Sequence, residues 1–184
     1  MMFAKPLVEK NAALERLARR GTRFFARRKP KPEKIELIYF PYYLFRIVLS
    51  VEDKQREIFV AADGVLGEFA FMEMETLDFL EEADAHRFSF HIDMESAKES
   101  ILDEYKWILV KHGFHRKNPP RMEAVTDTQQ LYYPYWVAYY KKRKGYDFNA
   151  VDAVSLAPIG ISIRRAFLAA FSQRHSHNKG RSNG

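Results

Sequence analysis

Five arginines, Arg16, Arg19, Arg20, Arg23 and Arg27, fall within about 100° of one another on a helical wheel. The planar guanidinium fork matches phosphate oxygens, so a stripe of this kind has the chemistry to hold a polyanion. A second basic run, Lys141, Lys142, Arg143 and Lys144, follows directly on "LYYPYWVAYY" at 131–140, in which six of ten side chains are aromatic. Rings beside cations are the parts of a base-stacking groove, where each stacked base contributes ~1–3 kcal/mol. With Phe24 and Phe25 beside it, the arginine stripe also suits an anionic membrane surface. The plainer alternative is a solvated face, or one paired with the acidic segment "MEMETLDFLEEAD" at 72–84.

Other chemistries find little support. The chain has no cysteine, which excludes disulfide scaffolds, thiolate metal sites and cysteine nucleophiles. His112 and His115 straddle Gly113, His86 and His91 are separated by "RFSF", and His175 and His177 lie in a polar terminus. No set of three or four metal ligands emerges from them, so neither a metal nor a cofactor is expected. No Gly-rich phosphate loop, G-x-S-x-G or H-E-x-x-H occurs. Asp63 and Asp152 are the carboxylates worth testing, because each follows an extended run. Aspartate before glycine is nevertheless mainly turn chemistry.

The elements that must position these groups repeat along the 184 residues. "IYFPYYLFRI" at 38–47 aligns with "LYYPYWVAYY", placing Pro41 over Pro134 and Tyr42 over Tyr135. Each stretch is preceded by a helical pattern and a basic, Pro-containing link, "RRKPKPEK" or "HRKNPPRM", and followed by a charged turn and another strand. The pattern predicts two α-β-β units, over 1–92 and 93–173, sharing one core, with a disordered tail over 174–184.

The first helix is predicted over about 7–28, with Leu14, Leu17, Ala18, Phe24 and Phe25 inward. The second starts at the N-cap Asp93, turns Met94, Ala97, Ile101, Leu102, Tyr105, Ile108 and Leu109 inward, and stops at Gly113. Strands are predicted over 35–40, 42–51, 56–62, 68–72, 123–127, 131–140 and 146–154, and a third helix over 159–173. Pro41 and Pro134 cannot donate to a ladder and are expected at bulges or edges. The fold class is α+β: hairpin-built antiparallel sheet with its helices on one face.

The segment "VAADGVLGEF" after the first hairpin resembles the Asp-x-x-Thr-Gly turn of PepSY-type modules, with Asp63 and Gly67 matching and Leu66 in place of the Thr. In the second unit Asp152 and Ser155 match in part, and Leu156 stands where the Gly would be. The resemblance covers about ten residues per unit and implies a non-catalytic interaction module.

Charge is distributed in blocks. Residues 1–34 hold 11 Lys/Arg against 3 Asp/Glu, 35–110 hold 6 against 17, and 111–184 hold 13 against 4, within a net charge of +6. Such a chain can satisfy its charges internally, across a dimer, or on a polyanion. No run reaches the ~20 apolar residues of a membrane span. The start lacks a secretory signal, which points to the cytoplasm.

The first expectation is therefore a binding module that meets a protein partner, or a second copy of itself as a homo-oligomer. Tyr42, Tyr132, Tyr135, Trp136 and Tyr140 would serve as interface residues on the outer sheet faces. The alternative is nucleic-acid or other polyanion binding through Arg16, Arg19, Arg20, Arg23, Arg27, Lys141, Lys142, Arg143 and Lys144. A second alternative is an enzyme whose site no linear motif reveals. Alternation sends Tyr133, Tyr135, Val137 and Tyr139 to one sheet face and Tyr132, Trp136, Ala138 and Tyr140 to the other. At least half of these aromatics must accordingly be core.

Overall fold

Two long strands, β2 (Lys34–Val51) and β7 (Arg121–Lys142), lie antiparallel at the centre of the computed structural model, which describes residues 1–19, 31–51, 54–113, 121–143 and 145–180. Their ladder runs from Lys34↔Tyr139 to Ser50↔Arg121. Each central strand folds back into a hairpin, β2 with β3 (Lys54–Asp63) and β7 with β8 (Gly145–Asp152). Short strands complete an eight-stranded sheet. β1 (Met2–Ala4) runs parallel to β7, and β6 (His86–Arg87) parallel to β2. β4 (Phe69–Phe71) pairs with β3, and β5 (Phe79–Leu80) with β1. Three helices are α1 (Lys10–Arg19), α2 (Met94–Gly113) and α3 (Ile161–Gly180).

The two prolines explain how the outer strands change partner. β2 pairs outward with β6 at Ile38–Tyr39 and with β3 from Tyr42 onward, leaving Pro41 at the junction. β7 pairs outward with β1 at Leu131–Tyr132 and with β8 from Tyr135 onward, leaving Pro134 at the same place. The outward carbonyl of Pro41 accepts from Gly64 N–H at 2.8 Å, and that of Pro134 accepts from Ala153 N–H at 3.1 Å. Within a strand residue, N and C=O point to the same side. Each proline therefore directs its missing N–H away from the central ladder, which loses no bond. Of the two settings expected, bulge or edge, the bulge does not occur at either proline: the irregularities of the β2–β7 ladder fall between Phe45 and Arg46 and between Val48 and Leu49.

Strand alternation divides the core as the sequence predicts. Ile38, Phe40, Tyr42, Leu44, Leu131, Tyr133, Tyr135 and Val137 face one way and pack with Ala166, Phe167 and Ala170 of α3. Tyr43, Phe45, Ile47 and Leu49 face the other way, under Ala97, Ile101 and Tyr105 of α2. Ala138 and Tyr140 share that second face with Ala13 and Leu17 of α1. The helices thus occupy both faces, where one was expected. The cause is that both sets of alternating residues are apolar, and each large side chain buried contributes ~1.5–3 kcal/mol. Phe167 sits at the middle of this packing, 4.6 Å from the Phe40 ring and edge-on to Tyr135.

The helix boundaries follow local chemistry. Asp93 caps α2, its Oδ1 accepting from Ser96 N–H at 2.8 Å, and α2 ends at Gly113. In α1 the inward residues are Ala13 and Leu17, whereas Leu14 is half-buried and Ala18 exposed. That rotates the helix from the expected face. α3 continues to Gly180, past residue 173 where a tail was expected to begin. Phe24 and Phe25 lie outside the described residues.

Candidate functional site

The two hairpins close on turns held by the same bonds. After β3, the Asp63 carboxylate accepts from the N–H groups of Val65 (2.9 Å), Leu66 (2.7 Å) and Glu68 (2.8 Å). After β8, the Asp152 carboxylate accepts from Val154 N–H (2.7 Å), Ser155 N–H (3.0 Å) and the Tyr133 hydroxyl (2.9 Å). In each turn the aspartate carbonyl accepts a 3.0 Å bond from the residue four on, Gly67 or Leu156. Both of those residues have positive φ, 75° and 62°. Asp63 and Asp152 are thus turn caps. Burial holds the Asp63 carboxyl above the usual aspartate range, its three N–H bonds opposing the rise.

The helices are seated by matching bonds as well. Gly64 C=O accepts from His91 N–H (2.7 Å) and Ile92 N–H (3.3 Å), just before α2. Ala153 C=O accepts from Leu7 N–H (2.9 Å) and Val8 N–H (2.8 Å), just before α1. The Tyr43 hydroxyl donates to Ile92 C=O at 2.9 Å, and Trp136 Nε1–H donates to Val8 C=O at 2.7 Å. Each helix consequently sits on the hairpin that is remote in sequence: α1 on β7–β8 and α2 on β2–β3.

The aromatic interface candidates are committed within the chain. Tyr42, Tyr132, Tyr135 and Tyr140 are buried, and half-buried Trp136 is spent on Val8. The Tyr42 and Tyr135 hydroxyls share a 2.8 Å hydrogen bond in the core. Desolvation raises the pKa of both and of Tyr133, and neighbouring carboxylates add to the rise. Tyr132 stacks on Phe3 at 5.2 Å. None of the four buried tyrosines presents a ring for a base or a partner, so the expected outer aromatic face is absent. The reason is again that α1, α2 and α3 cover both faces.

The basic candidates are placed differently. Val8 is fixed beside Trp136 and Ala153, and from there α1 runs with Ala138 and Tyr140 of β7 toward the β7–β8 turn. Arg16 is exposed on this helix, and Lys141, Lys142 and Arg143 are exposed at the turn. Lys141 meets Glu33 at 4.0 Å and Lys142 meets Asp147 at 3.8 Å, both loose surface pairs. Asp147 is held more closely by Arg164 of α3, at 2.6 Å. Arg19 ends the described part of α1, while Arg20, Arg23, Arg27 and Lys144 lie outside the described residues. The two basic segments, remote in sequence, are thus borne by elements that pack together, α1 and the β7–β8 hairpin.

The sequence reading missed a cleft of about 390 Å³ beside β6, where His86, Arg87, Ser89 and His91 face Ala170 and Gln173 of α3. "HRFSFH" was legible as polar–apolar alternation, but nothing in it announces α3 as the opposite wall. Among the described residues no group of three or more His, Asp or Glu side chains could hold a metal ion, and no helix is long and apolar enough to cross a membrane. No family model matches the chain, and neither a curated protein nor a solved structure is significantly similar to it.

Proposed function

We propose that this protein is a binding module made of two copies of one β-α-β-β unit, and that its basic end takes a polyanion, nucleic acid first. The units correspond as β1–α1–β2–β3 and β6–α2–β7–β8. They adjoin along β2 and β7 about the pair Phe40↔Tyr133. Support for the duplication comes from the matched turn, helix-seat and proline bonds, which also favour the PepSY-like reading of the Asp63–Gly67 turn. The second copy then begins near His86 rather than at 93.

The observation that carries the binding reading is the seating of α1, which bears exposed Arg16, along the β7–β8 hairpin, whose turn bears exposed Lys141, Lys142 and Arg143. The sequence continues that charge through "RRGTRFFARRKPKPEK" at 19–34. Separate basic patches would bind weakly; a single layer of them neutralises adjacent phosphates and releases their counterions together. Protein contact remains as a second reading on a different surface, α2, where Trp107 is 60% exposed.

Oligonucleotide binding measured across a salt series tests this. The wild type should show a steep fall of log K with log salt. Arg16→Glu/Lys141→Glu/Arg143→Glu, all at exposed positions, should lower the slope by about 3 and weaken binding at low salt about a hundredfold or more. Equal affinity and slope in the variant would overturn the proposal.

A further inference from the structure

Among the described residues four aromatic side chains are exposed: Phe71 on β4, Phe79 on β5, Trp107 on α2 and Tyr146 on β8. Tyr146 alone of the four stands in the basic hairpin, just past Arg143, and it is 67% exposed. Its register partner is Lys141, and the next pair on the same face is Tyr139↔Phe148. That face is the one under α3, where Phe148 packs against Phe167 and Phe171. Two residues nearer the turn, Tyr146 continues the aromatic row beyond the cover of the helix.

The strand geometry brings ring and cation together. Ala150 C=O accepts from Ile159 N–H, and Phe148 C=O accepts from the Arg164 guanidinium, so the even-numbered residues of β8 aim their backbone groups away from β7. Lys141↔Tyr146 is therefore a non-hydrogen-bonded pair, the narrower kind, with Cα atoms about 4.5 Å apart and side chains next to each other. Lys142 alternates to the α1 face and Arg143 occupies the turn, both exposed. Asp147 alternates away from the ring and is engaged by Arg164 at 2.6 Å and Lys142 at 3.8 Å. Glu33, 4.0 Å from Lys141, is a loose surface partner that a phosphate can displace.

A ring open to water beside cations offers a face to a planar group and charge to the phosphates next to it. Bases in a duplex already stack on their neighbours and must be extruded to reach such a ring, whereas those of a single strand are free to stack. We propose that the basic end takes single-stranded nucleic acid, one unpaired base stacking on Tyr146 while Lys141 and Arg143 hold the flanking phosphates. This assignment rests on the polyanion reading above and adds the state of the strand and the side chain that selects it.

The test measures binding of the full chain to an oligothymidine strand, an abasic strand of equal length and a duplex, each across a salt series. Wild type should favour the oligothymidine over both others. Tyr146→Leu, at an exposed position, should lower that preference about tenfold, the share of one stacked base. Tyr146→Phe, which keeps the ring, should restore most of it. A wild type that binds the duplex or the abasic strand as tightly as the oligothymidine overturns the proposal, and so does an unchanged preference in Tyr146→Leu. In both cases salt-dependent binding persists and the polyanion reading stands. Absence of salt-dependent binding to all three strands overturns that reading, and the stacking assignment with it.

Discussion

The β2–β3 hairpin under α2 and the β7–β8 hairpin under α1 share a backbone plan and differ in nearly everything attached to it. Under α2 the packed residues are Tyr43, Phe45 and Ile47; the matching positions under α1 are Trp136, Ala138 and Tyr140. Asp63 is fully sealed in its turn, whereas Asp152 is half-buried and exchanges one N–H partner for the Tyr133 hydroxyl. The sequence of α2 mixes Glu95, Glu99, Asp103 and Glu104 with Lys98, Lys106 and Lys111, while that of α1 holds Lys10, Arg16 and Arg19 against Glu15 alone. Main-chain bonds and two capping carboxylates are enough to define the scaffold. Side chains outside that set are free to give one helix a mixed-charge surface and the other a basic one.

Removing the caps should separate the two hairpins most. Asp63→Ala leaves three N–H groups without their acceptor, one buried and two part-buried, and is expected to cost about 2–4 kcal/mol in urea unfolding, against about 1–2 for Asp152→Ala, where water can reach the turn. Equal losses would mean that burial does not distinguish the turns. The positive-φ positions come next. Gly67→Ala should cost about 1–2 kcal/mol, from φ strain and from a Cβ placed 3.1 Å from Ile92 Cδ1. Leu156→Gly should stay within about 1 kcal/mol of neutral, because relief at φ 62° offsets the lost packing of a partly buried side chain. A large loss there would show that leucine is required for packing despite its backbone.

The smallest effect is a pH dependence. Because native Asp63 holds its proton to higher pH than the unfolded chain does, the native state binds more protons from about 3.8 up to the raised value. Stability relative to Asp63→Asn should therefore fall as pH rises through that window and then level off. A difference that grows with pH would mean that the three N–H bonds outweigh desolvation.

Local chemistry made part of this fold legible. Asp93 and Gly113 mark α2 because cap and stop are properties of a few adjacent residues. Alternation assigned Tyr132 through Tyr140 to their faces for the same reason. Pro41 and Pro134 were recognised as ladder interruptions, but their N–H direction depends on which outer strand each central strand meets, and β1 and β6 pair through only two residues each. Seating α1 on β7–β8 rests on Val8 and Ala153, 145 positions apart, and no periodicity records such a contact. The basic segments were visible as two runs of charge; that the elements bearing them pack together was not. The β6 cleft was invisible because α3 supplies its far wall.

The crossed seating of the helices also sets an order of assembly. As the chain leaves the ribosome, α1 has nothing to pack on until Asp152 and Ala153 have been made, and the Tyr43–Leu49 face stays bare until α2 follows. Neither half can finish alone, so native contacts accumulate late and span most of the sequence, the regime of slow folding and aggregation-exposed intermediates. Production of this protein should accordingly depend on chaperone capacity and growth temperature more than its native packing would suggest.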